Sequence, residues 1–105
     1  MEIKWLEPWA PIEHPEEREA LQAELHSELG ASHPLFRLSV VALARRCDQD
    51  DVLFELSDSR VAEVHLTWGC KPERDPQFPR TTIFSSATVW AEEKMRPLHE
   101  EAGRS

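Results

Sequence analysis

At 105 residues, with 20 acidic against 12 basic side chains and a formal charge of −8, the chain has the size of one domain and the wrong sign for nucleic acid. Phosphate recognition needs a clustered basic face, whereas an acidic surface keeps a small protein soluble and suits a basic partner. No apolar run approaches the roughly 20 residues that span a bilayer, and the opening MEIKWLEPWAPIEHPEE lacks the basic-then-apolar order of a secretory signal, so a cytoplasmic protein without a membrane partner is expected.

A chain of this length buries roughly 60% or a little more of its unfolded surface, enough for a core without staples. Cys47 and Cys70 fit neither a disulfide framework nor a zinc spacing and read as free thiols. Arg45 and Arg46 precede Cys47 and would lower its pKa if they faced it, although a structural cysteine at a strand end is the plainer reading.

In chain order, residues 1–11 hold Trp5, Leu6 and Trp9 with two prolines, the pattern of an extended arm that pins its tryptophans onto the domain or offers them to a partner. His14-Pro15-Glu16-Glu17 then starts a helix, with proline early and acids in the first turn. Ala20, Leu21, Leu25 and Leu29 form its apolar stripe, and Gly30 stands where a C′ glycine would close it. Glu16, Glu17, Glu24 and Glu28 form the most concentrated acidic surface of the chain and are candidate partner contacts.

From Leu35 to Gly69 the chain alternates as three strands would. Phe36, Leu38, Val40, Ala42 and Ala44 fall on one side of the first, followed by Val52, Phe54 and Leu56, and then by Ala62, Val64, Leu66 and Trp68. Arg37, Arg45, Glu55, Glu63, His65 and Thr67 fall on the other side, with Leu35, Val41 and Leu43 among them. Asp48, Asp50, Asp51 and Asp58 crowd the two short turns, where Asp bonds locally to backbone, and they complete the candidate partner contacts. A loop with three prolines follows, then Thr81–Phe84 with strong strand propensity. Ser85 or Ser86 caps a last helix that Pro97 should stop after Met95, leaving residues 98–105 as a polar, frayed tail.

These elements predict one α+β domain over residues 1–105. It has two layers: an N-terminal helix, a three-stranded antiparallel meander with a possible short fourth strand at 81–84, and a C-terminal helix on the same face as the first.

The outward set Arg37, Arg45, Glu55, Glu63 and His65 reads first as an ion-pair ladder. The sharper readings are a partner-binding face, or an acid–base pair made by Glu63 and His65, which would require a concave pocket above them. His14, His26, His33, His65 and His99 are scattered without metal spacing, and there is no Gly-rich phosphate loop and no GxSxG, so neither cofactor nor metal is expected.

Residues 64–95, VHLTWGCKPERDPQFPRTTIFSSATVWAEEKM, combine an LTW-G element, a Pro-rich loop, Pro-x-Thr before an aromatic strand, and a Trp-bearing helix ending in Met. Through Leu66, Thr67, Trp68, Gly69, Pro79, Thr82, Phe84, Trp90 and Met95 this third of the chain resembles small bacterial immunity proteins encoded beside polymorphic and contact-dependent toxins. Cys70 departs from that pattern, in which a small polar residue is expected. The resemblance implies a non-catalytic protein, not an enzyme, that neutralises a basic toxin domain by binding it as a monomer or weak dimer. The alternatives are an obligately dimeric chaperone or adaptor for a secreted effector, and a small enzyme using the outward sheet face.

Overall fold

The computed structural model describes residues 3–103. Its order is β1 (Trp9–Pro11), α1 (Pro15–Glu28), β2 (Val40–Arg46), β3 (Asp51–Leu56), β4 (Val61–His65), β5 (Arg80–Phe84), α2 (Ala87–Trp90), a π-helical turn (Ala91–Met95) and α3 (Arg96–Ala102). All five strands lie in one antiparallel sheet in sequence order. The expected three-stranded meander is therefore corrected to five strands. Thr81–Phe84 does pair, against Val61–Val64, and part of the N-terminal arm adds an edge strand on Ala44–Arg46. Pro11 is tolerated there because an edge strand leaves one row of amides without a ladder partner.

The helices lie on opposite faces of this sheet, not on one. Leu21, Leu25 and Leu29 close the first face over Val40, Ala42, Val52, Phe54, Leu56, Ala62, Val64 and Leu66. Ala87, Trp90 and Met95 close the second over Trp9, Ala44, Leu53, Val61 and Phe84. The reason is visible in β3, where Val52-Leu53-Phe54 is buried on both sides of the pleat. A strand covered on one face alternates; a run of three apolar residues needs cover on both.

A bulge in β2 also moves residues between faces. Ala42 pairs with Phe54 and Ala44 with Leu53, so Leu43 is the extra residue and Ala44 turns into the second core. The backbone of Ala42 at this irregularity is completed by α1, through Gln22 Oε1 accepting its N–H and Arg18 Nε donating to its carbonyl. Residues 34–37 form a turn ahead of β2 instead of extending it, with Arg37 in the left-handed region at φ 66°.

Trp5 and Trp9 both pack on Trp90, with centroids at 6.0 and 4.9 Å, the second pair edge-on. Ser86 caps α2 by accepting from the Val89 amide. Pro97 does not stop this helix. The π turn, in which the Arg96 amide reaches back to the Ala91 carbonyl, widens the spiral ahead of it, so the ring sits in the first turn of α3 without meeting the carbonyl four residues back. The tail expected to fray at residue 98 thus continues as helix to Ala102, fixed by Leu98 packing in the second core and His99 Nδ1 donating to the Glu7 carbonyl.

Candidate functional site

The end of α1 faces the segment that leaves β4. Glu28 is fully buried, and its two carboxyl oxygens accept the backbone amides of Thr67 and Trp68 at 2.8 and 2.9 Å. One turn earlier Glu24, 8% exposed, accepts the Cys70 amide and the Cys70 thiol, each at 3.2 Å. The Glu28 carbonyl takes the Glu73 amide, and a Cβ on Gly30 would lie 2.6 Å from the Glu73 carbonyl oxygen. Gly30 is therefore required for close backbone approach, not for the left-handed C′ geometry expected of it, since among the described residues no glycine has positive φ.

So held, residues 67–70 adopt a conformation that side chains other than glycine's disfavour: Trp68 has φ 59° and Cys70 φ 57°. Such backbone persists only where its surroundings over-determine it, and here two carboxyl groups do so. Trp68, expected in the core, is turned outward by this geometry and is 43% exposed.

Burial pushes the Glu28 carboxyl above the usual carboxylate range, and Glu24 beside it adds to the shift, while the amides of Thr67 and Trp68 oppose it. Glu24, hydrogen-bonded by Glu28, is held below that range despite its own burial. Opposite shifts at the two neighbouring carboxyl groups put the pair's one proton on Glu28 and its charge on Glu24. Glu24 in turn raises the Cys70 thiol, first by accepting its hydrogen and then by charge, which makes it a poor nucleophile.

On the second sheet face, at the same end, lies a polar cleft of about 430 Å³. Asp51 and His65 are cross-strand partners and touch through His65 Nδ1. Glu63, one pleat along from His65, accepts the Trp90 indole N–H at 2.8 Å. His33 on the opposite wall is buried: its Nδ1 accepts the Leu35 amide and its Nε2 donates to the Pro79 carbonyl, so both nitrogens are occupied in joining two loops.

The candidate residues read from sequence divide accordingly. Glu24 and Glu28 are corrected from surface contacts to buried groups that fasten a loop, because helical spacing places them beside Leu21 and Leu25 on the inward stripe. Asp51 is likewise corrected: it belongs to β3, is buried, and faces His65 and Arg46. Glu16, Glu17, Asp48, Asp50 and Asp58 remain at the surface, though Glu17 pairs with Arg45, Asp48 with Arg46 and Asp58 with Arg60.

The outward set does not form one ladder. Glu63 and His65 meet in the cleft; Arg37 stacks over Phe36 in a turn; Arg45 reaches α1; Glu55 lies opposite Val41 at the far end of the sheet. Cys47 is exposed in a groove with Trp9 and Leu98, and its neighbour Arg46 is engaged by Asp48 at 2.6 Å.

Sequence reasoning missed the Trp68 loop as a presented element because alternation alone placed Trp68 inward. The available signal was the pair of glutamates inside an apolar stripe, which demands buried donors. Among the described residues no three His, Cys, Asp or Glu side chains group as a metal-ligand set, and no helix is long and apolar enough to cross a membrane. No family model matches the chain, and neither a curated protein nor a solved structure matches it.

Proposed function

We propose that this chain is a non-catalytic binding protein that neutralises a cognate bacterial toxin by direct contact, with Trp68 at the centre of the contact. The observation that carries this reading is an exposed tryptophan on a loop fastened by two buried carboxyl groups. Tryptophan is the residue type most enriched among binding hot spots, and a ring fixed before contact loses little entropy on docking. The Asp50 carbonyl accepts the Leu66 amide, so the exposed Asp48–Asp50 turn sits beside this loop, whereas the Asp58 turn is at the other end of the sheet. A net charge of −8 would steer a basic toxin domain toward the surface, and acids around an aromatic anchor would slow its release.

The test is capture of partners from the producing cells with tagged wild type and Trp68→Ala, read by mass spectrometry and followed by a co-expression toxicity assay. The reading expects one basic toxin domain, bound one to one by wild type, lost with Trp68→Ala and neutralised only by wild type. Equal capture by both proteins would move the contact elsewhere, and no toxin among the captured proteins would remove the reading.

The cleft supports a second reading as a small acid–base enzyme. Asp51 on Nδ1 orients the His65 ring and leaves Nε2 as a free base, with Glu63 one pleat away. Turnover by the purified chain that is lost in His65→Ala and kept in Trp68→Ala would favour this second reading over neutralisation by binding.

A further inference from the structure

We infer that the cleft between β4, β5 and the Pro76–Pro79 segment is a receptor for a guanidinium group, supplied by an arginine of the protein partner. The two walls of the cleft differ in what their polar groups still have to offer. On the wall made by His33, donors and acceptors are consumed internally: both ring nitrogens are bonded, and the Thr81 hydroxyl donates to the Pro79 carbonyl. On the β4 wall the free valences are acceptors. Glu63 commits one oxygen to the Trp90 indole and keeps the other. His65 presents its Nδ1 to the Asp51 carboxylate, so the proton resides there and Nε2 is the free nitrogen. The Thr82 hydroxyl stands opposite Glu63 in the register and is exposed.

Gln77 and Arg80 bring donors to the outer rim, but the free groups of the β4 wall are acceptors and call for a ligand rich in donors, and arginine's fork has five N–H groups and no acceptor. The Glu63 carboxylate is also held in place, because the indole that fixes it belongs to a fully buried ring. A fixed carboxylate binds a planar cation with little reorganisation. Among the described residues no ion pair engages Glu63, and the one cation on the rim, Arg80, lies over the Phe78 ring at 5.3 Å. The volume, about 430 Å³, admits an arginine side chain.

The naming of a protein partner rests on the binding-protein reading, but the chemistry of the cleft can be tested without that partner. Ethylguanidinium, with sodium acetate as the contrasting probe, would be titrated into ¹⁵N-labelled full-length protein at pH 8. The Trp90 indole N–H resonance reports on Glu63 directly. The expected result is saturable movement of that resonance and of the Glu63, His65 and Thr82 amides, with a dissociation constant on the order of millimolar. Glu63→Gln should weaken it by about tenfold. Thr82→Lys, which sets a cation opposite Glu63 without touching Trp90, should abolish it and covers the case in which Glu63→Gln disturbs the core. Trp68→Ala should leave it unchanged.

Linear shifts without saturation, equal binding by Glu63→Gln and Thr82→Lys, or saturation by acetate would each overturn the proposal. If the guanidinium titrates as expected while no toxin depends on Trp68, the cleft chemistry stands and the toxin reading falls. If Trp68 captures a toxin and the guanidinium does not titrate, the reverse holds.

Discussion

Two tryptophans in this chain are each served by a glutamate, and the two arrangements lead to opposite results. Glu63 accepts the indole N–H of Trp90, satisfying the one polar atom of a ring that is then buried completely between Trp9, Trp5 and the sheet. Glu28 accepts the backbone amide of Trp68, satisfying the main chain and leaving the ring exposed. A carboxyl group directed at a side chain completes a core; directed at a main chain, it shapes a loop and sets its side chain free. The first arrangement is the centre of the second core, and the second is the surface to which we assign binding.

The contrast predicts unequal costs of substitution. Trp90→Ala, which empties the second core, should lose about 3–5 kcal/mol in urea unfolding. Glu28→Ala should cost about 2–4 kcal/mol, since it strands two amides and leaves Glu24 without its proton donor; a loss as small as that of an ordinary surface substitution would break the comparison. Gly30→Ala forces a methyl against the Glu73 carbonyl and should cost about 1–3 kcal/mol, with chemical-shift changes concentrated in residues 66–73.

A pH series sharpens the role of the pair. Glu24 titrates below the usual carboxylate range in the fold, so its contribution is present above that range and is lost as pH falls through its lowered value. Glu28 titrates above the range, so its contribution is present at low pH and is lost as pH rises through its raised value. Stability of the loop should therefore peak between the two. Glu28→Gln, which cannot ionise, should flatten the upper limb, at a uniform cost because its NH2 replaces one of the two oxygens that accept the Thr67 and Trp68 amides. An unchanged upper limb in that variant would show that the proton is not placed as described. At the small end of the scale, Trp68→Ala should change stability by less than about 1 kcal/mol, as an exposed side chain does, and act on binding alone.

How much of this was legible beforehand follows from the same residues. The helix from Pro15, the strands through Phe54 and Val64, the Ser86 cap and the strand at Thr81–Phe84 follow from local periodicity and capping. The second sheet face did not, because Leu53 and Val61 lie out of phase with the chosen alternation and the bulge at Leu43 reverses the phase of Ala44. Pro97 reads as a stop because local propensity does not reveal the π turn that widens the helix ahead of it. Glu24 and Glu28 read as surface contacts along with Glu16 and Glu17 because charge is usually outward. The donors that bury Glu24 and Glu28 come from residues 67–70, roughly forty positions later, and no local pattern announces them.

The most direct measurement of the central claim is amide hydrogen exchange at Thr67 and Trp68 in wild type and Glu28→Ala. If buried Glu28 fastens the loop that presents Trp68, both amides exchange slowly in wild type despite lying outside any strand. In Glu28→Ala they should exchange at open-loop rates, while Leu53, Phe54 and Val64 stay protected. Fast exchange at Thr67 and Trp68 in the wild-type protein, or equal protection in the variant, would contradict it.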